Sequence, residues 1–286
     1  MNKLIVFDID GTLWHPTYGL SESSANALKQ LDQAGCRVCI STGRTMDSIP
    51  DPILELPICS WITSDGAQIR SGEWVQESTI PLKRLQEMME AALQFDWGIA
   101  LECPKRIYMN QKAVDAYRAM NQAKSASLNL EKIVYENCLD QWQPDIPVFK
   151  VCLMVSHPIP ALESFEMLDV LQVNENLIEL HPPGIHKGSA LRLVQEHLGI
   201  SCQDTICVAD GKNDLPMTSA CSCFIAMKES PSEVKHCADL VCTAPMETGI
   251  AKALVDIGLL PDKPSVTKAV ISASPKERNN PIWNQP

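Results

Sequence analysis

Residues 4–7, Leu-Ile-Val-Phe, form an unbroken apolar run of strand length that ends on a carboxylate, Asp8. A strand with one wet face alternates apolar and polar side chains. A run without polar partners fits a strand covered on both faces, as in a parallel sheet flanked by helices. The chain beyond Asp8 bears out such a sheet. Ser21 can cap a helix carrying Ala25, Leu28 and Leu31 at helical spacing, with Gly35 as its stop. Val38-Cys39-Ile40 and Trp61-Ile62-Thr63 are further short apolar runs, and residues 68–75 read as a hairpin turning at Ser71-Gly72. Strand–helix–strand succession predicts a doubly wound α/β domain with a mostly parallel sheet.

The texture changes at Pro81, which can open a helix carrying Leu82, Leu85, Met88, Met89, Ala92 and Leu93. Strands are expected around 98–102, 132–135 and 149–155, with helices near Gln111–Met120 and Pro160–Leu171. This mixture predicts an α+β insert. Proline-marked linkers near Ile80-Pro81 and His181-Pro182-Pro183-Gly184 bound it. After it, a helix over Ser189–Leu198 and a strand over Thr205–Ala209 resume the alternation to about Leu260. The expected organisation is a core domain over 1–80 and 184–262, an inserted cap over 81–183, and a proline-rich tail over 263–286.

Thirty-five acidic against 24 basic residues leave a formal net charge of −11. That excludes a nucleic-acid backbone or an anionic membrane as the main partner, and an anionic substrate would need a local positive site built against the overall field. No segment reaches the roughly 18 uninterrupted apolar residues of a membrane span. The N-terminus lacks the pattern of a signal peptide. With no export signal, the twelve cysteines are expected to be reduced cytoplasmic thiols. The late group Cys221, Cys223, His236, Cys237 and Cys242 has none of the usual zinc spacings.

Four segments fall at predicted carboxyl ends of strands or at a helix start, where open α/β sheets bind ligands. In Asp8-Ile9-Asp10-Gly11-Thr12 two carboxylates at i and i+2 project to the same side, and they repel unless a cation sits between them. Ser41-Thr42-Gly43-Arg44 offers a hydroxyl and backbone N–H groups to an anion. His186-Lys187-Gly188-Ser189 brings a cation, and Ala209-Asp210-Gly211-Lys212-Asn213-Asp214 brings acids and an amide. Each alone has an ordinary reading as a turn, a cap or a solvated charge. Four in this order along one sheet edge do not.

These segments, with Ile62-Thr63-Ser64-Asp65-Gly66-Ala67 and Asp210–Met217, resemble the haloacid dehalogenase superfamily, more closely its Cof-type phosphatases with a type IIB α+β cap. The resemblance covers the core to about Leu254, and the cap matches in position. It implies a Rossmannoid core and a Mg²⁺-dependent phosphoric monoester hydrolase acting on a small phosphorylated metabolite, first of all a sugar phosphate. Flavin mononucleotide, pyridoxal phosphate and a silent phospho-ligand-binding regulator are the alternatives. It implies Asp8 as nucleophile, forming an aspartyl-phosphate, and Asp10 as general acid and then base. Asp8, the Asp10 backbone carbonyl and Asp210 would hold Mg²⁺, with Asp214 in its outer shell, and Thr42, Gly43, Lys187 and Asn213 would hold the phosphoryl oxygens.

Two residues depart from the family pattern. Ala209 stands where glycine usually precedes the aspartate, and Asp65 replaces a frequent asparagine, adding a negative charge beside the substrate. Arg106, Tyr108 and Lys150 are equal candidates to meet the leaving group from the cap.

Overall fold

The N-terminal apolar run becomes β1 (Leu4–Phe7), and both of its faces are covered. Leu4 and Val6 join one buried cluster while Ile5 and Phe7 join another on the opposite side. The computed structural model describes residues 2–122, 136–155, 165, 168–244 and 246–261. After β1 come the short hairpin β2 (Trp14–His15) and β3 (Gly19–Leu20), α1 (Glu22–Gln33), β4 (Arg37–Ser41), α2 (Asp51–Leu54) and β5 (Ser60–Thr63). The hairpin β6 (Gln68–Ser71) and β7 (Trp74–Glu77) follows. Ser21 caps α1 by accepting from the Ser24 N–H, and Leu28 and Leu31 are fully buried on its inner side. Burial of each such leucine contributes about 2 kcal/mol.

The insert consists of α3 (Leu82–Gln94), β8 (Gly98–Glu102), β9 (Ile107–Met109), α4 (Gln111–Gln122), β10 (Lys150–Met154), β11 (Asp169–Asn174) and β12 (Leu177–His181). The chain then returns through α5 (Lys187–Leu198), β13 (Thr205–Ala209), β14 (Cys223–Ala226), α6 (Ser232–His236), β15 (Leu240–Val241) and α7 (Met246–Asp256). Among the described residues the large sheet has eight strands in the order β15-β14-β13-β1-β4-β5-β6-β7. It is parallel from β15 to β5, with the β6–β7 hairpin antiparallel at one edge. The second sheet, β11-β12-β10-β8-β9, is antiparallel throughout.

In the large sheet the strand order reverses at β1, which lies between β13 and β4. Crevices at such reversals, beyond the carboxyl ends of the strands, are where ligands bind. In the smaller sheet, strand alternation sorts the faces. Ile99, Leu101, Val151, Leu153, Ile178 and Leu180 pack with Leu85, Met88 and Ala92 of α3. The opposite face carries Glu102, Lys150, Cys152 and Glu179.

One expectation needs correction. Of the helix expected over Pro160–Leu171, Asp169–Leu171 is instead the start of β11, where alternating side chains pair in antiparallel register with β12. The rest of that stretch, apart from Phe165 and Leu168, lies outside the described residues, as do the strand expected at 132–135 and the tail at 263–286. No helix among the described residues is long and apolar enough to cross a membrane. The twelve cysteines stand as thiols.

Candidate active site

The floor of the site is built from the ends of three neighbouring strands. Asp8 follows β1, Thr42 follows β4 and Asp210 follows β13, so the order β13-β1-β4 sets these residues side by side. The Asp8 N–H donates to the Val208 carbonyl (3.0 Å), which pins the exit of β1 to its neighbour. Gly11 has φ +82°, and a Cβ there would lie 2.2 Å from Asp210 Oδ2. Only glycine allows both the left-handed turn and this approach of the two acidic segments.

Lys187 enters from beneath. His186 caps α5 by accepting the Ser189 N–H (3.0 Å), so the helix begins at Lys187 rather than at Ser189. The fully buried ammonium donates to Asp8 Oδ1 (2.7 Å) and Asp214 Oδ1 (2.6 Å). Burial disfavours this cation, but Asp214, Asp8 and Asp65 outweigh it and hold its pKa above the ordinary lysine value. Asp214 Oδ2 accepts the Gly211 N–H (2.9 Å), so both of its oxygens already have protein donors. That fits a supporting position better than direct ligation.

Asp8, Asp210 and Asp214 have carboxylate oxygens within 4.8 Å of one another. Burial and the repulsion of the neighbouring aspartates push Asp8 well above the usual carboxylate range, although Lys187 opposes the shift. Burial and Asp214 push Asp210 up to about 7. Carboxylates compressed in this way, with one ammonium between them, suit a divalent cation that prefers hard oxygen ligands.

Asp10 is more than half exposed, and Arg44 grips it with two hydrogen bonds of 2.7 Å, from Nε and Nη2. The guanidinium is itself steadied by donating to the Ser48 carbonyl (2.9 Å). Thr42 is buried and its N–H is spent on the Ile62 carbonyl, while its hydroxyl accepts the Arg44 N–H (3.1 Å) and keeps its own proton to donate. Asn213 donates one amide hydrogen to Asp65 Oδ1 (2.9 Å) and retains a second.

Asp65 sits with Ser64 and Gly66 in three successive positive-φ conformations. Asp and Asn tolerate this region better than other side chains, which is a backbone reason for either residue here. The buried carboxylate receives Lys150 Nζ from the cap (3.1 Å), and the same ammonium donates to the Gly43 carbonyl (3.1 Å). Burial opposes ionisation of Asp65, yet Lys150, Lys187 and His181 outweigh it and hold the carboxyl well below its ordinary range. Asp65, Glu179 and His181 also converge within ligating distance of one another, but the Lys150 ammonium already meets the two carboxylates as their counter-cation.

Above the floor lies a cavity of about 400 Å³. Asp8, Asp10, Gly43, Asp210 and Asn213 face it from the core, while Thr42, Lys187 and Asp214 are fully buried. Thus all eight residues singled out from the sequence gather around one floor. The sequence alone assigns no role to Arg44, Glu102 or Glu179 and leaves Lys150 level with Arg106 and Tyr108. Arg106 instead pairs with Glu136 beside Tyr108, and neither residue lines the cavity. The available signal was strand parity: Glu102, Lys150 and Glu179 are polar residues that share the face opposite the apolar one of three paired strands. Ala209, fully buried within an apolar cluster, takes its methyl group into the core and leaves Asp210 at the strand end.

Comparison with known proteins agrees with this architecture. The chain is 25% identical over 261 residues to the putative phosphatase YkrA of Bacillus subtilis, covering 91% of this chain and 99% of that protein. It is 24% identical to the chloroplastic endoribonuclease YBEY of Arabidopsis thaliana, but spans only 45% of that protein's length. A solved HAD subclass IIB sugar phosphatase superposes with a TM-score of 0.77 at 24% identity, covering 91% of this chain and all of that one. The profile of the haloacid dehalogenase-like hydrolases matches residues 5–254. Since that span runs from β1 into α7 and takes in both sheets, the chain as a whole belongs to the haloacid dehalogenase-like hydrolase family.

Proposed function

We propose that this protein is a Mg²⁺-dependent phosphatase that hydrolyses a small phosphorylated metabolite, first of all a sugar phosphate, through an aspartyl-phosphate on Asp8. The observation that carries this reading is the placing of Asp8. It lies on the floor of a cavity of small-ligand size, with Lys187 on Oδ1 and the Asp10 carboxyl nearby in the same lining. The names of the similar phosphatases support the class of reaction.

A carboxylate attacking a phosphate dianion must overcome repulsion, and fixed donors that meet the equatorial oxygens lower that barrier. Thr42 Oγ1, the Asn213 amide and Lys187 are the donors on this floor. Asp8 attacks phosphorus while Asp10, protonated, gives its proton to the departing alkoxide. Asp10 then takes a proton from water, which attacks the aspartyl-phosphate and regenerates Asp8. Arg44 holds the Asp10 carboxylate between these two roles. Mg²⁺, held by Asp8, the Asp10 backbone carbonyl and Asp210, would neutralise charge at the phosphoryl group. The core at 1–80 and 184–262 would supply this chemistry and the cap at 81–183 the leaving-group contacts.

Phosphate release from a panel of phosphomonoesters tests the proposal. It should require Mg²⁺, stop with chelator and fall at least about a thousandfold in Asp8→Asn. Release that survives Asp8→Asn, or none from any substrate with Mg²⁺, contradicts it.

A further inference from the structure

The roof of the cavity carries its own chemistry. Glu102 of β8, Lys150 of β10 and Glu179 of β12 share one face of the smaller sheet, with Glu102 and Lys150 directly paired across strands. Lys150 Nζ lies 3.1 Å from Asp65, 3.5 Å from Glu102 and 3.5 Å from Glu179. One ammonium is therefore shared among three carboxylates. The other cations at the site are matched as well: Arg44 by Asp10, and Lys187 by Asp8 and Asp214. Tyr117, Ile107 and Leu177 complete the roof without adding a positive charge.

The consequence is asymmetric. A hydroxyl or ammonium group in the upper cavity finds carboxylate acceptors on Glu102 and Glu179. A second phosphate or a carboxylate there meets acids whose ammonium, Lys150, is already committed and whose other basic neighbour, His181, already faces Glu179 (3.6 Å), in a setting where like charges are poorly screened. Resting on the phosphatase reading, we propose that Glu102 and Glu179, with Lys150 between them, determine leaving-group specificity. They accept a neutral or amine-bearing polyhydroxylated leaving group and reject one that bears a second anion.

The test compares kcat/KM, with Mg²⁺, for glucose 6-phosphate and glucosamine 6-phosphate against glucose 1,6-bisphosphate and gluconate 6-phosphate. The first two should be favoured by about tenfold or more, a difference of one like-charge contact. Glu102→Gln and Glu179→Gln should each narrow that ratio by raising the efficiency toward the doubly anionic members. Calorimetric binding of the same four compounds to the Asp8→Asn protein reads the roof without turnover. Discrimination in binding without any hydrolysis by the unaltered protein overturns the phosphatase reading alone. Hydrolysis or binding with no preference between the pairs, or a ratio that both glutamine variants leave unchanged, overturns the assignment of the roof.

Discussion

Lys150 is the cation on which the joint between cap and floor depends, and its removal has a calculable effect. Lys150 and Asp65 are both about 95% buried, with side-chain exposures of 4% and 5%, and their charged atoms lie 3.1 Å apart. A unit pair at that distance interacts by about 5 kcal/mol at an effective dielectric near 20. Desolvating the ammonium offsets much of this, and breaking a buried pair from one side costs about 3–5 kcal/mol in practice. Lys150→Met should therefore destabilise the protein by about that amount, because it leaves Asp65, Glu102 and Glu179 without their shared counter-charge. Asp65→Asn in the unaltered protein should cost about 1–3 kcal/mol, since it removes one acceptor from Lys150. In the Lys150→Met background the same change should stabilise, because it deletes one of three uncompensated acids. Urea unfolding of the four proteins, followed by tryptophan fluorescence and circular dichroism, measures the cycle. An Asp65→Asn effect of the same sign and size in both backgrounds, to within about 0.5 kcal/mol, refutes the electrostatic account of this joint.

Three further outcomes are expected from the same geometry. A Cβ on Gly188 would sit 2.2 Å from the Pro216 carbonyl, so Gly188→Ala should force α5 away from the 212–220 segment. It should cost about 1–3 kcal/mol together with most activity, and a thermal melt like that of the unaltered protein contradicts the packing. Burial raises Glu102 from 4.5 to about 7, against the pull of Lys150. Its contribution is thus fully present below about pH 4.5 and lost as pH rises through about 7, a change on the order of 3 kcal/mol. Glu102→Gln should gain stability relative to the unaltered protein between about pH 5 and pH 8, and a difference independent of pH opposes this. Because Asp8 and Asp210 are raised in the same sense, added Mg²⁺ must displace protons at low pH. The Mg²⁺-induced rise in Tm should therefore be larger near pH 8 than near pH 5, and equal rises at both contradict the site.

The sequence made the floor legible because its chemistry lies in contiguous segments at strand ends. Asp8 and Asp10 share one loop, as do Asp210, Asn213 and Asp214, and the apolar runs before them reveal the strands. The roof was not legible in that way. Glu102, Lys150 and Glu179 come from three strands spread over nearly eighty residues, and only antiparallel register brings them to one face. Of the helix expected over Pro160–Leu171, the described end Asp169–Leu171 departs for a related reason: pairing with β12 decides its conformation. The ion pair between Asp65 and Lys150 shows the same limit. The departure at Asp65 was visible in the sequence, but its partner lies 85 positions away.

The most direct test of the central claim is the mass of the protein after reaction with a phosphoryl donor that needs no general acid. Asp10→Asn should still let Asp8 accept a phosphoryl group from acetyl phosphate with Mg²⁺, but it should slow the water attack on the adduct. Intact mass spectrometry should then show one added phosphoryl group, localised by peptide mapping to Asp8 and absent from the Asp8→Asn/Asp10→Asn double variant. Steady phosphate release by the Asp10→Asn protein with no adduct, or an adduct on any residue other than Asp8, contradicts the account.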